Sequence, residues 1–237
     1  MKLTDQQQDA AQALSGVIKS VLSYVPALAQ AIAGWDAYQR SRFERHVRSV
    51  LQLLTSKVED LEGLFSSEWL QTADGQQFAW KVFDAALDAQ LADKQELFVN
   101  ALVHGIENQK AEQLEKLKFV DMLRQLSRAS LMVLAEMDRM FADQVRGPGR
   151  SPDPTAAYPL VDAARIAEAL SEKYDPYLVT AAVAELEGQG LFSRTGEWRK
   201  DATGRYKPGG GFATEMCYTD FAARFVEFIR APSAGDT

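Results

Sequence analysis

Cysteine and histidine are almost missing from this chain of 237 residues, which holds Cys217 alone and two histidines, His46 and His104. A single thiol excludes an intrachain disulfide and a multi-cysteine zinc site. The histidines stand 58 positions apart, and neither sits in a ligand spacing such as HxxxH. No GxSxG, Walker or GxGxxG pattern occurs either. The longest uncharged run, Ser20 to Trp35, has 16 residues and a central Pro26. That falls short of the ~18–20 mostly apolar residues a spanning helix needs. The first residues, MKLTDQQQDAAQ, carry two Asp and four Gln where a signal peptide would have its apolar core. A cytoplasmic protein is the expectation. Excess positive charge is also lacking: the net charge is −7, and Lys/Arg against Asp/Glu run 16 to 20 before residue 150 and 10 to 13 after it. Neither half carries the global positive potential that attracts nucleic acid.

Apolar periodicity is abundant. Residues 5–35 read as two helical segments broken at Pro26, since proline removes a donor and clashes with the preceding turn. Packed into a bundle, this hairpin is structural; a membrane-active segment over 14–35 is the sharper alternative, weakened by its few flanking cations, Lys19 and Arg40. Phe43, Val47, Val50, Leu51, Leu54, Val58, Leu61 and Phe65 form one helical seam, predicting a helix over Arg42–Phe65. Asp74-Gly75 reads as a turn. Helices follow with Phe78, Val82 and Phe83 inward, then from Ala92 or Asp93, then over Lys110–Leu126, then capped by Ser127 or Ser130. No strand-like alternation appears before residue 150. The expectation is an all-α bundle over 1–145.

Arg146 to Pro159 has four prolines and two glycines in 14 residues and reads as a semi-rigid linker. Beyond it, Leu160 to Lys173 reads as a helix. Asp175 sits at an N-cap, and Pro176 at the first position of the next helix. In that helix Val179, Ala182, Val183 and Leu186 make the buried stripe, and Gly188 and Gly190 end it. Leu191–Ser193 and Ala213–Tyr218 read as short strands around a Gly-rich loop, and Thr219 or Asp220 caps a final helix. Helix, helix, strand, loop, strand, helix is a winged helix-turn-helix order over 160–231, one helix short at its start, with 232–237 as a flexible tail. The fold class expected is therefore mainly α: a helical bundle joined by a Pro/Gly linker to a small α+β winged-helix domain.

Chemistry of the catalytic kind has little to hold. Cys217 is expected as a buried, inert thiol in a strand. Gly147-Pro148-Gly149 lacks the strand and the Lys-Ser/Thr of a phosphate loop. Glu197-Trp198-Arg199-Lys200 has the wrong spacing for a nuclease carboxylate–lysine pair and no partner Asp. No nucleophile, base and oxyanion donor converge, so no enzyme, metal, cofactor or small-molecule substrate is expected.

Contact residues are easier to name. The loop Arg194–Lys207 carries Arg194, Arg199, Lys200, Arg205 and Lys207 against Glu197 and Asp201, net +3, with Trp198 and Tyr206 interleaved. Such a wing suits phosphates or a minor groove. By contrast, the face of the 176–188 helix opposite its apolar stripe reads Tyr177, Thr180, Ala181, Ala184 and Gly188, flanked by Glu185 and Glu187. It holds no Lys or Arg; Thr180 is its one good polar base reader, and the glutamates would meet phosphates unfavourably.

Residues 93–108, DKQELFVNALVHGIEN, and 118–134, KFVDMLRQLSRASLMVL, carry a resemblance. Leu97, Phe98, Asn100 and Leu102, then Phe119, Val120, Leu123, Leu126 and Ser127, resemble two segments of helical bacterial proteins related to the abortive-infection alpha group. Tyr24-Val25-Pro26 is similar to the apolar, proline-bearing N-terminal segment of that group. The resemblance spans residues ~20–135, and its motifs are mostly hydrophobic spacing. It implies a role in bacterial anti-phage defence and supplies no catalytic residue. The resulting expectation is a non-enzymatic protein that binds macromolecules, its winged helix docking a protein partner or a second copy. The alternatives are a winged-helix transcriptional regulator and a membrane-disrupting effector.

Overall fold

The computed structural model describes residues 23–26, 47, 49–58, 60–89, 91–108, 112–145, 160–194, 198–200, 206–208 and 215–231. The described chain is mainly helical and falls into two compact units. One comprises Met1–Arg124 with Phe228–Thr237, and the other Gln125–Glu227.

In the first unit, helical residues 49–57 (α1) lead to α2, Leu61–Phe65. The single helix expected over 42–65 is thus interrupted: residues 58 and 60 are not helical, and Asp60 Oδ1 accepts from Gly63 N at 2.8 Å. A short polar side chain competes with the helix ladder and restarts it, a signal the unbroken apolar period hides. A 3₁₀ turn, Trp69–Gln71, precedes α3, Ala73–Asp88. Asp74 and Gly75, expected as a turn, lie inside the first turn of α3 because Thr72 is the cap, accepting from Gly75 N at 3.1 Å.

α4 (Ala92–Glu107) packs on α3, and α5 (Gln113–Gln125) follows. The apolar stripes meet in a core of Leu51, Leu54, Phe65, Leu70, Phe78, Phe83, Phe98 and Leu102, all essentially inaccessible. Each such side chain contributes about 1.5–3 kcal/mol by leaving water. Phe78 is central: its ring lies 5.6 Å from Trp69 and 6.2 Å from Phe228, and Phe119 lies 5.3 Å from Phe228. Gly105 makes room for it, since a Cβ there would come 2.1 Å from Phe78 Cζ. Buried Asn100 donates to Ile229 O at 2.9 Å, and His104 Nε2 lies 2.9 Å from Arg230 O. Both side chains satisfy carbonyls left open where the last helix ends.

In the second unit, α6 (Arg128–Val145) is capped by Ser127, whose Oγ accepts from Ser130 N at 3.1 Å. β1 (Leu160–Asp162) and α7 (Ala163–Leu170) follow, so the helix expected from Leu160 begins with a strand instead. Next come α8 (Pro176–Gly188), β2 (Phe192–Arg194), β3 (Trp198–Lys200), β4 (Tyr206–Pro208), β5 (Glu215–Tyr218) and α9 (Asp220–Ile229). β1 and β2 both pair antiparallel with β5, giving the order β1-β5-β2. Leu160 stands opposite Cys217, and Phe192 opposite Tyr218. β3 and β4, within the expected loop, pair antiparallel as a separate ribbon. α6 packs on α7 and α8. The expected linker, 146–159, lies outside the described residues from Arg146 to Pro159, as does the tail 232–237. Thr219 caps α9, accepting from Ala222 N at 3.0 Å, and its N–H donates to Leu191 O at 3.3 Å.

Candidate interaction surface

Local chemistry sets α8 sharply. Asp175 Oδ1 accepts from Tyr177 N at 2.8 Å, and Pro176 occupies the first turn, where its missing N–H costs nothing. At the other end, Leu191 N donates to Leu186 O at 3.1 Å, and Gly190 N to Glu187 O at 2.9 Å. Gly190 adopts φ +76°, the left-handed conformation that closes a Schellman motif. Val179, Ala182, Val183 and Leu186 are buried, as their spacing predicts.

The opposite face is open. Tyr177 is 86% exposed, and Leu178, Thr180, Ala181 and Ala184 are exposed as well. Thr180 Oγ donates to Pro176 O at 2.9 Å, so the hydroxyl proton is spent inside the helix. What the threonine keeps for a partner is its acceptor lone pairs and its methyl.

Glu185 takes a part its sequence position did not announce. Its Oε1 accepts from Ser127 N at 3.0 Å, and its Oε2 accepts from Ser127 Oγ at 2.8 Å and from Ser130 Oγ. The carboxylate thus sits on the N-terminus of α6, where unpaired N–H groups and the helix dipole favour an anion. Glu185, which flanks the exposed face of α8 in sequence, is thus held by the N-terminus of α6. Gln189 and Gln125 extend the same seam at 3.2 Å. Ser127 and Ser130 lie 58 and 55 positions from Glu185, a separation no local pattern can report.

The cationic residues stand on other elements. Arg194 ends β2 opposite Met216. In the β3–β4 ribbon, Trp198 pairs with Pro208, Arg199 with Lys207, and Lys200 with Tyr206. Arg205 lies outside the described residues, as does segment 14–35 apart from residues 23–26. There, Val25 is fully buried and Tyr24 O accepts from Gln76 Nε2 at 2.6 Å. Tyr177 and Thr180 are therefore brought one turn apart near the start of α8, while Trp198, Arg199, Lys200 and Lys207 share the ribbon.

A further group in the first unit was not visible in the sequence. Lys116 is 1% exposed; its Nζ donates to Gly105 O at 2.8 Å and lies 3.9 Å from the Trp69 ring centroid. Burial pushes its amine down to about 8. The charge is offset by a carbonyl at the end of α4 and an aromatic face. Among the described residues no group of three His, Cys, Asp or Glu could hold a metal ion, and no helix is long and apolar enough to cross a membrane. No family model, curated protein or solved structure matches the chain.

Proposed function

We propose that the chain acts by binding rather than catalysis, with a winged helix in its second unit that docks a protein partner, or a second copy, through the exposed face of α8. The element order α6-β1-α7-α8-β2-β5 with the antiparallel sheet β1-β5-β2 supports the winged-helix reading. In that reading α6 supplies the helix lacking from residues 160–231 alone.

The observation that carries the docking role is the uncharged centre of this face, with the partly exposed Glu187 only at its edge. Tyr177, Thr180, Ala181 and Ala184 are exposed and uncharged, and Glu185 is turned into the cap of α6. An exposed tyrosine among small residues is the composition of a protein contact, where a rigid amphipathic ring anchors at low entropic cost. Operator readout, the alternative, would need base-edge donors on α8, and Thr180 has already committed its proton.

The likeness of residues ~20–135 to the abortive-infection alpha group extends the proposal to an accessory or effector in bacterial phage defence, working in the cytoplasm. Ala184→Arg tests the docking face. Exposed and within that face, it should leave the unfolding midpoint unchanged while abolishing self-association or partner co-purification with the full chain. Retained association with an arginine on this face would refute the reading.

A further inference from the structure

A line of exposed residues runs the length of α8. At 3.6 residues per turn, Tyr177, Ala181, Ala184 and Gly188 fall within about 60° of arc, and each is exposed. Their steps of 4, 3 and 4 are those of a seam that packs against another helix. The two ends of the line are opposites. Tyr177 carries its largest side chain, whereas at Gly188 a Cβ would meet nothing within 4 Å. The midpoint between Tyr177 and Gly188 is also the midpoint between Ala181 and Ala184. A two-fold axis crossing α8 there sets each Tyr177 ring on the other helix's Gly188, and each Ala181 opposite the other Ala184.

We propose that the occupant of this face is a second copy of the chain, its α8 packed antiparallel across a two-fold axis between Ala181 and Ala184. This pairing rests on the docking reading of α8 and names the partner. A two-fold interface must be self-complementary, and this line is: ring against open space, small against small. Charge selects the same occupant. Copies of net charge −7 repel at range, so self-contact needs a face whose centre adds no charge, and the centre of this one has none. Antiparallel packing also opposes the two helix dipoles. It brings exposed Lys173, just ahead of each α8, toward Glu187 in the last turn of the other. Alanine and glycine let the axes approach to about 8 Å, the near end of the usual range. One helix pair buries less than the ~1,200–2,000 Å² of a stable interface, so the dimer is weak and forms as concentration rises.

The test is sedimentation equilibrium of the full chain up to high concentration, using wild type, Y177A, G188Y and Y177A/G188Y. Wild type should pass from monomer to dimer. Y177A and G188Y should each weaken the dimer about tenfold or more, one removing the ring and the other filling its seat. The double variant moves the ring to the opposite end of the line and should recover most of that loss. Circular dichroism should show all of them folded, since both positions are exposed. A tighter dimer in G188Y would mean unspecific aromatic adhesion and overturn the register, as would a double variant no better than either single one. A wild-type chain that stays monomeric would overturn self-pairing alone and leave a foreign protein for the face. A dimer that these variants and Ala184→Arg all leave intact would put the contact elsewhere and refute the docking reading with it.

Discussion

Glu185 closes the N-terminus of α6 by accepting from both the backbone N–H of Ser127, at 3.0 Å, and its hydroxyl, at 2.8 Å. One half-buried carboxylate therefore does two things in the second unit. It completes the cap of a long helix, and it withdraws negative charge from the exposed side of α8.

Glu185→Gln should consequently weaken the second unit without unfolding it. A glutamine can still accept from one donor but offers the dipole no charge, so a loss of about 1–2 kcal/mol is expected. Urea denaturation reads this as a lower midpoint at unchanged slope. Ser127→Ala and Glu185→Gln together should cost less than their sum, because each removes the same interaction.

Gly105 and Phe78 couple in a different way. Gly105→Ala places a methyl group against the Phe78 ring, whose Cζ would be 2.1 Å away, and should cost about 1–3 kcal/mol as overpacking. Phe78→Leu in the same chain opens space for it. The double variant should be more stable than the two single losses added together, read by thermal or denaturant unfolding.

Lys116 makes stability depend on alkaline pH. Its amine is pushed down to about 8 in the folded chain from 10.5 when exposed. Below pH 8 both states hold the proton, and the burial penalty is present in full. Between pH 8 and 10.5 the unfolded chain holds more protons than the folded one, so stability rises with pH. The contribution reaches up to about 1.4 kcal/mol per pH unit within that window. Lys116→Met should remove this component, and the difference between the two unfolding-midpoint profiles against pH isolates it from other titrating groups.

Much of this architecture is legible in local chemistry and the rest is not, for reasons that differ by element. α8 reads out almost completely, because Asp175-Pro176, the stripe Val179 to Leu186 and Gly190 are all short-range signals. The break near Asp60 does not, since the apolar period runs through it and only one carboxylate marks the restart. β1 is three residues long and has the pattern of a helix start; its strand exists only by pairing with β5, more than 50 residues later. The β3–β4 ribbon hides in a stretch that glycines mark as loop. The Pro/Gly-rich stretch 146–159 is the evident place to divide the chain, yet α6, which precedes it, packs with α7 and α8. Glu185, Ser127 and Ser130 carry that association across a distance in sequence that periodicity cannot span. Of the candidate site residues, Tyr177 and Thr180 were legible as an exposed helix face. The neutral character of that face depended on where Glu185 goes, and the sequence alone left that open.

A photo-crosslinking amino acid in place of Tyr177 in the full chain, in the cells that carry it, with the same group at Glu172 as a surface control, probes the docking face most sharply. One discrete protein adduct is expected from position 177, identified by mass spectrometry as a single partner or a second copy, lost with Ala184→Arg and absent from position 172. A nucleic-acid adduct at position 177, or the same protein adducts from both positions, would contradict it.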